Sequence, residues 1–403
     1  MKKIMYINFP QGSHILSSVY LVEELAKENV DLIYYTDKKF FKNFSDKITL
    51  KAYPDEFYEL YKKFEADIKL YHNMVTLYWV FMKFTELLLP FITKEIEKEK
   101  PDFIICDHLA IWGKTALRKF KIPAFYFYSN LFYRSEDDSM TFAMKFDEFS
   151  KALTVNLPYV IGSINTIRKI KKEYGVMVWK PDEIFDNKPD FNVVMNSRYF
   201  QPNGESYPDN YNFIGPGQFD TADFTKKREV IFIFLGTVES DKEFWETCLE
   251  AFKGKEFSRY EIIASFGGTK TYEFYPAIVP SNFKFVKNLK LPEYKETLKR
   301  SALFISHGGI NSVLESLNSL TPLIIITNAF QNHPVGKRAQ DLGCGISFHR
   351  KTLTSKRLQD AASTILNDNS YYENAAKVRK SFIDSTPERN NIVNVINRKF
   401  KLF

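Results

Sequence analysis

The sequence predicts an α/β fold made of two doubly wound parallel-sheet domains. Three observations predict it. At 403 residues, the chain is long enough for two domains of ordinary size. Short apolar runs recur at residues 4–9, 30–36, 101–107, 230–234, 302–305 and 323–326, as expected of parallel strands buried on both faces. Stretches of helical periodicity separate these runs, so strand, helix and strand follow one another near both ends of the chain.

In the first half, residues 4–9 read as a buried strand, followed by the turn Pro10-Gln11-Gly12-Ser13-His14. Leu16, Val19, Tyr20, Val22, Leu25 and Ala26 then recur at helical spacing, and residues 30–36 form the next strand. Doubly wound sheets bind ligands beyond the carboxyl ends of their strands, which is where His14 lies. Residues 101–107 form a strand ending in Asp107, a helix follows, and residues 122–127 return as a strand. Both strand ends belong to one rim, so a His14–Asp107 pair is geometrically reasonable. The carboxylate would fix the imidazole tautomer and support its charged form. Taken alone, Asp107 reads equally well as a helix N-cap, and His108 is a rival to His14. Residues 55–100 and 140–185 have the spacing of amphipathic helices. The acidic run at residues 135–139 reads as a solvated loop rather than a metal site. Residues 191–197 are a further strand.

In the second half, residues 230–234 form a strand closing in Leu235-Gly236-Thr237. A helix over 240–253 and strands over 260–265 and 282–286 follow, with an open turn at Gly267-Gly268. Leu291-Pro292-Glu293 opens a helix. The most informative stretch comes next: the strand 302–305, the turn His307-Gly308-Gly309, and a helix with Asn311 and Ser312 in its first turn. Leu314, Leu317 and Leu320 lie along that helix, Pro322 stops it, and residues 323–326 form the next strand. Such a turn suits an anion. Glycines let the backbone approach closely, and the first helical N–H groups are unpaired and carry the positive end of the dipole. Glu315 lies on the same helix face one turn on, where a carboxylate can accept ribose hydroxyls. Phosphate and ribose together mean a nucleotide.

The composition excludes other classes. Net charge is +7 and no long basic run or nucleic-acid motif is present. Three widely spaced cysteines, Cys106, Cys248 and Cys344, indicate neither a disulfide framework nor a metal cluster. The first residues read as a strand rather than an apolar leader, and the longest uncharged apolar run, residues 70–82, is too short to span a membrane. A soluble, cytoplasmic protein is expected. The 38 Phe and 23 Tyr fit ordinary cores or an apolar binding pocket. A nicotinamide enzyme is disfavoured, because no G-x-G-x-x-G follows the first strand.

The string His307-Gly308-Gly309-x-Asn311-Ser312-x-x-Glu315, with Pro322 and the closing Leu342-Gly343-x-Gly345, resembles the nucleotide-sugar signature of family 1 glycosyltransferases. That is the GT-B class containing plant UDP-glycosyltransferases and bacterial macrolide glycosyltransferases. The resemblance implies two Rossmann-like domains facing a cleft. Residues 1–210 would bind the acceptor, 211–217 would be a linker, 218–385 would bind the nucleotide sugar, and 386–403 would be a helix packing back on the first domain. It implies that His307, Asn311 and Ser312 hold the diphosphate and Glu315 the ribose. It further implies that Gly236 and Thr237 face the donor and that Gln331 and Asn332 read the sugar. His14 would be the general base, oriented by Asp107, and Tyr71, His72, Trp79 and Phe81 are acceptor-side candidates. No metal or other cofactor is expected, and the expected partners are a nucleotide-sugar donor and a small-molecule acceptor. The chain would act as a monomer or homodimer, with no nucleic acid.

Five positions at three places depart from the family pattern. Lys290 stands where an aromatic residue often stacks on the base, with Glu293 in place of Gln. Gln331-Asn332 replaces the usual acid-Gln pair, and Ile310 replaces a frequent Trp. An inverting hexosyltransferase acting on a hydroxyl of a small natural-product-like acceptor is the expected function. A GT-B-shaped nucleotide-sugar epimerase and a non-catalytic glycosyltransferase-like helper are the alternatives.

Overall fold

The computed structural model describes residues 1–67, 70, 73–132, 154, 156–178, 190–216, 228–236, 242–267, 279–328 and 332–403. The chain divides into two compact units, Met1–Gly217 with Ser385–Phe403, and Gln218–Asp384.

Among the described residues, the first unit carries a seven-stranded parallel sheet of β1 (Lys2–Ile7), β2 (Val30–Thr36), β3 (Thr49–Ala52), β4 (Phe103–Asp107), β5 (Ala124–Tyr128), β6 (Asn192–Val194) and β7 (Tyr211–Phe213). Their order across the sheet is β3-β2-β1-β4-β5-β6-β7. The order reverses between β1 and β4, which pair from Ile4 with Phe103 to Ile7 with Cys106. Strand residues alternate between faces. Met5, Ile7, Ile104 and Cys106 join one core with α2 (Asp55–Glu65), α3 (Met74–Glu99), α4 (Ile111–Phe120) and α5 (Leu157–Tyr174). Ile4, Tyr6, Phe103 and Ile105 join the other with α1 (Gly12–Leu25). Both faces are covered, which is why these strands read as unbroken apolar runs.

The second unit carries a six-stranded parallel sheet ordered β10-β9-β8-β11-β12-β13. Its strands are β8 (Val230–Phe234), β9 (Glu261–Ser265), β10 (Phe283–Val286), β11 (Ser301–Ser306), β12 (Leu323–Thr327) and β13 (Gly345–His349). The order reverses between β8 and β11. One face packs on α6 (Lys242–Ala251) and α10 (Ser355–Asn367) through residues such as Trp245 and Leu358. On the other face, Tyr294 of α7 (Leu291–Arg300) meets Phe232 edge-on at 5.6 Å. Also in this unit are α8 (Ile310–Asn318), α9 (His333–Asp341) and α11 (Ser370–Asp384). The last helix, α12 (Thr386–Phe400), belongs to the first unit. Its Ile392 and Ile396 enter the second core described there, and Phe400 packs on Phe103 at 4.5 Å.

Several expectations need correction. Tyr211–Phe213, read as part of a linker, pair with β6 and complete the first sheet, because Tyr211 and Phe213 are buried. β3 and β13 were not expected: both are edge strands whose residues are largely part-exposed, so neither shows a solid apolar run. The apolar segment before residue 82 belongs to the 26-residue α3. That helix is long and apolar enough to cross a membrane by length and composition, but 61% of its most apolar window is buried in its own unit. The acidic run 135–139 lies outside the described residues.

α4 crosses the sheet at the order reversal, where Gly113 lets it come close. A Cβ there would lie 2.7 Å from Cys106 Sγ and 2.9 Å from Ile7 Cγ2. Gly113→Val is expected to destabilise the chain by about 1–3 kcal/mol through overpacking, read as a lower urea midpoint. An unchanged midpoint would show that β1 and β4 yield freely.

Candidate active site

In the first unit, the site forms at the carboxyl ends of β1 and β4, the switch point where doubly wound sheets bind ligands. Gln11 precedes α1 with extended backbone, and His14 falls in the first helical turn rather than in the turn before it. The residue is only 4% exposed. His14 Nδ1 lies 2.8 Å from Asp107 Oδ2, and the other carboxylate oxygen accepts from Leu109 N–H at 2.9 Å. Asp107 thus makes the N-cap-like bond and the histidine bond at once, one with each oxygen. Burial opposes its ionisation, but His14, His108 and the Leu109 N–H outweigh it and hold the carboxyl below its usual range. Facing an ionised carboxylate, Nδ1 carries the proton. Ser129 Oγ, just past β5, lies 2.7 Å from the same nitrogen and accepts from it as well. Nε2 is left with its lone pair, as a general base requires.

His108 is not the rival base. It is 1% exposed, its Nδ1 has no hydrogen-bond partner, and burial pushes its pKa down to about 3. It stacks between His14 (5.6 Å, 20°) and Tyr128 (5.1 Å, 24°). Phe9 lies against His14 at 5.1 Å and carries Phe81 and Trp112 behind it. His14, Asp107 and His108 offer ligand atoms within 4.8 Å of one another. Both Asp107 oxygens are already bonded, however, so the three read as a hydrogen-bonded cluster. Of the acceptor-side candidates, Phe81 stands one ring removed from His14. Trp79 packs between Phe64 and Tyr159 and fills the space above Gly162, away from that cluster. Tyr71 and His72 lie outside the described residues.

In the second unit, the ends of β8 and β11 form the corresponding switch point. The His307 imidazole stands between two glycines. A Cβ on Gly236 would lie 2.9 Å from its Cε1, and one on Gly309 would lie 2.7 Å from its Nε2. Gly236 and Gly308 have φ of +78° and +87°, backbone that side chains resist. Burial lowers the His307 pKa to about 4, and its Nδ1 is buried without a partner. Gly309 caps α8 without a side-chain bond, so Asn311 and Ser312 lie in an open first turn whose N–H groups carry the dipole. Asn332 packs beside Gly308. Tyr294 enters from α7 beside Ser312 and Glu315. Its buried hydroxyl completes no hydrogen bond, and burial raises the Glu315 carboxyl above its usual range. Lys290 is exposed and begins α7, where its N–H donates to Glu293 at 3.1 Å. Glu293 is therefore a capping residue. Thr237 and Gln331 lie outside the described residues.

Ser129 and Tyr294 were not legible as site residues. Ser129 sits past a strand end with no local motif, and Tyr294 sits in an ordinary amphipathic helix.

The Erythromycin biosynthesis protein CIII-like C-terminal domain family matches residues 259–398. The Uncharacterized UDP-glucosyltransferase YojK of Bacillus subtilis is 27% identical over 94% of this chain and 93% of its own. The NDP-glycosyltransferase YjiC of Bacillus licheniformis is 27% identical over 90% and 89%. The crystal structure of the glycotransferase of kitacinnamycin superposes with a TM-score of 0.73 at 19% identity, covering 98% of both chains. The chain is a glycosyltransferase of GT-B fold, similar to these family 1 enzymes. Its donors are nucleoside-diphosphate sugars, and its two parallel-sheet units are those of the GT-B fold.

Two histidines are expected to make this glycosyltransferase acid-labile, His108 fully buried and His307 part-buried. His108 and His307 sit near pKa 3 and 4 when folded, against an ordinary value of 6.5. Below pH 6.5 the unfolded chain takes up protons that the folded chain refuses. Their stabilisation is complete above about pH 6.5 and is lost as pH falls towards their folded values. Asp107, held below its ordinary 3.8, loses its own contribution further down. The melting temperature is expected to fall from pH 7 to pH 4.5. His108→Phe should flatten that fall by up to one proton, about 1.4 kcal/mol per pH unit. A flat wild-type profile would contradict the neutral imidazoles of His108 and His307.

Proposed function

We propose that this glycosyltransferase moves a hexose, with inversion, from a UDP- or TDP-linked donor to a hydroxyl of a small apolar or aromatic acceptor. The observation that carries the reading is the buried His14–Asp107 pair, 2.8 Å apart, at a switch point with Nε2 left unprotonated. Nε2 takes the proton of the acceptor hydroxyl as its oxygen bonds to the anomeric carbon. The bond from that carbon to the diphosphate breaks, and the diphosphate leaves with the electron pair. Asp107 supports the imidazolium that forms. Asn311, Ser312, the α8 N–H groups and neutral His307 stabilise the charge on the leaving diphosphate, the electrostatic role that otherwise falls to a metal. Glu315 and Tyr294 hold the ribose hydroxyls. Gly236 and Asn332 and, on the family resemblance alone, Thr237 and Gln331 are assigned to the sugar and phosphates, and an amide such as that of Gln331 can both donate and accept. Phe81 shapes the acceptor side, and the monomer or homodimer acts without metal.

His14→Ala is expected to lower kcat about 10²- to 10⁴-fold while leaving nucleotide affinity unchanged, measured by turnover and calorimetry. Near-normal turnover would overturn the assignment. Glu315→Ala is expected to weaken UDP or TDP binding about ten- to a hundredfold. Wild-type protein unshifted by either nucleotide in a thermal melt would favour the non-catalytic helper.

A further inference from the structure

His14 and His108 present matching edges. Both turn Nδ1 towards the same carboxylate, His14 to Oδ2 at 2.8 Å and His108 to Oδ1 at 3.6 Å. Their rings are close to parallel, at 20° and 5.6 Å. Rings anchored alike at Nδ1 carry their Nε2 atoms side by side on the edge facing away from Asp107. Among the nitrogens of the two rings, His108 Nδ1 is enclosed without a partner, and neither Nε2 is. A lone pair on His108 Nδ1 would face a carboxylate oxygen and be repelled, so that nitrogen carries the proton. His108 Nε2, like His14 Nε2, is then an acceptor. The edge is bounded by Phe9 against His14 and by Tyr128 against His108, so the two acceptors stand side by side within an aromatic surround.

Resting on the glycosyl-transfer reading above, we propose that the acceptor carries two neighbouring hydroxyls, a vicinal diol or catechol. One hydroxyl gives its proton to His14 Nε2, and the other donates a hydrogen bond to His108 Nε2. Two O–H···N bonds of about 2.8 Å, reaching inward from rings 5.6 Å apart, meet oxygens on adjacent carbons. An acceptor with a single hydroxyl leaves the His108 nitrogen unpaired inside the complex, a loss of about tenfold in affinity. His108 is therefore a specificity residue and takes no proton.

The test is calorimetric binding, in the presence of UDP, of the 4-hydroxyphenyl and 3,4-dihydroxyphenyl forms of one small aromatic acceptor. Wild type is expected to bind the dihydroxy form about tenfold tighter. His108→Phe keeps a stacked ring without nitrogens and should bring the ratio of the two Kd values close to one. His108→Gln, a second variant that keeps an acceptor atom, should retain part of the ratio. A wild type that binds neither form, or both equally, overturns the proposal, as does a ratio unchanged in both variants. Turnover separates this from the underlying reading. Transfer to the monohydroxy form with a flat binding ratio sinks only the acceptor proposal. A tenfold ratio without transfer from any sugar nucleotide sinks only the glycosyl-transfer reading.

Discussion

The first unit depends on one buried carboxylate. Asp107 is wholly enclosed, and an ionised carboxylate without partners in such a place would cost several kcal/mol. It is sustainable because each oxygen has its own partner, Leu109 N–H on one side and His14 on the other. The strand pairing enforces this. β1 and β4 run in register to Ile7 and Cys106, which delivers Asp107 to the level of the first turn of α1. The same bond that makes the carboxylate tolerable holds the proton on Nδ1 and clears Nε2. Structural need and the proposed chemistry are met by a single hydrogen bond.

In the second unit the proposed task is the opposite one, holding the donor diphosphate at a helix start. Its answer is geometric. Glycines at 236 and 309 make room for the His307 ring, and the uncapped start of α8 supplies N–H donors and the positive end of the dipole. Among the described residues of this unit, two of the four buried polar atoms without partners, His307 Nδ1 and the Tyr294 hydroxyl, lie at this end of the sheet; Trp245 Nε1 and Asn318 Oδ1 are the others. Buried polar groups are normally paired, and a place where two are not suits a ligand that completes them.

Departures from the family pattern gain a physical sense in the structure. Lys290 and Glu293 form a helix start, with Leu291 exposed beside them, so the position is occupied by capping rather than by a ring for stacking. His108 is a further individual feature, a second imidazole beside the His14–Asp107 pair that the family pattern implies.

Local pattern carried much of this molecule. The apolar strands, the helix spacing and the His307–Glu315 string are readable because each depends on neighbours in sequence: period-two and 3.6-residue burial, and a glycine turn feeding a helix. Fold class followed from that by itself, and the proposed donor-site residues from that pattern together with the family resemblance. The tertiary structure decided what depends on distant segments meeting. Ser129, 115 positions from His14, reaches its Nδ1 only because β5 lies beside β4. His108 is distinguished from His14 only by burial and by which edge faces Asp107. Tyr211–Phe213 become a strand rather than a linker because a sheet edge awaits them, and the short edge strands β3 and β13 carry no apolar run to announce them. A sequence records which side chains can bond; the packing of β1, β4 and β5 determined which of them do.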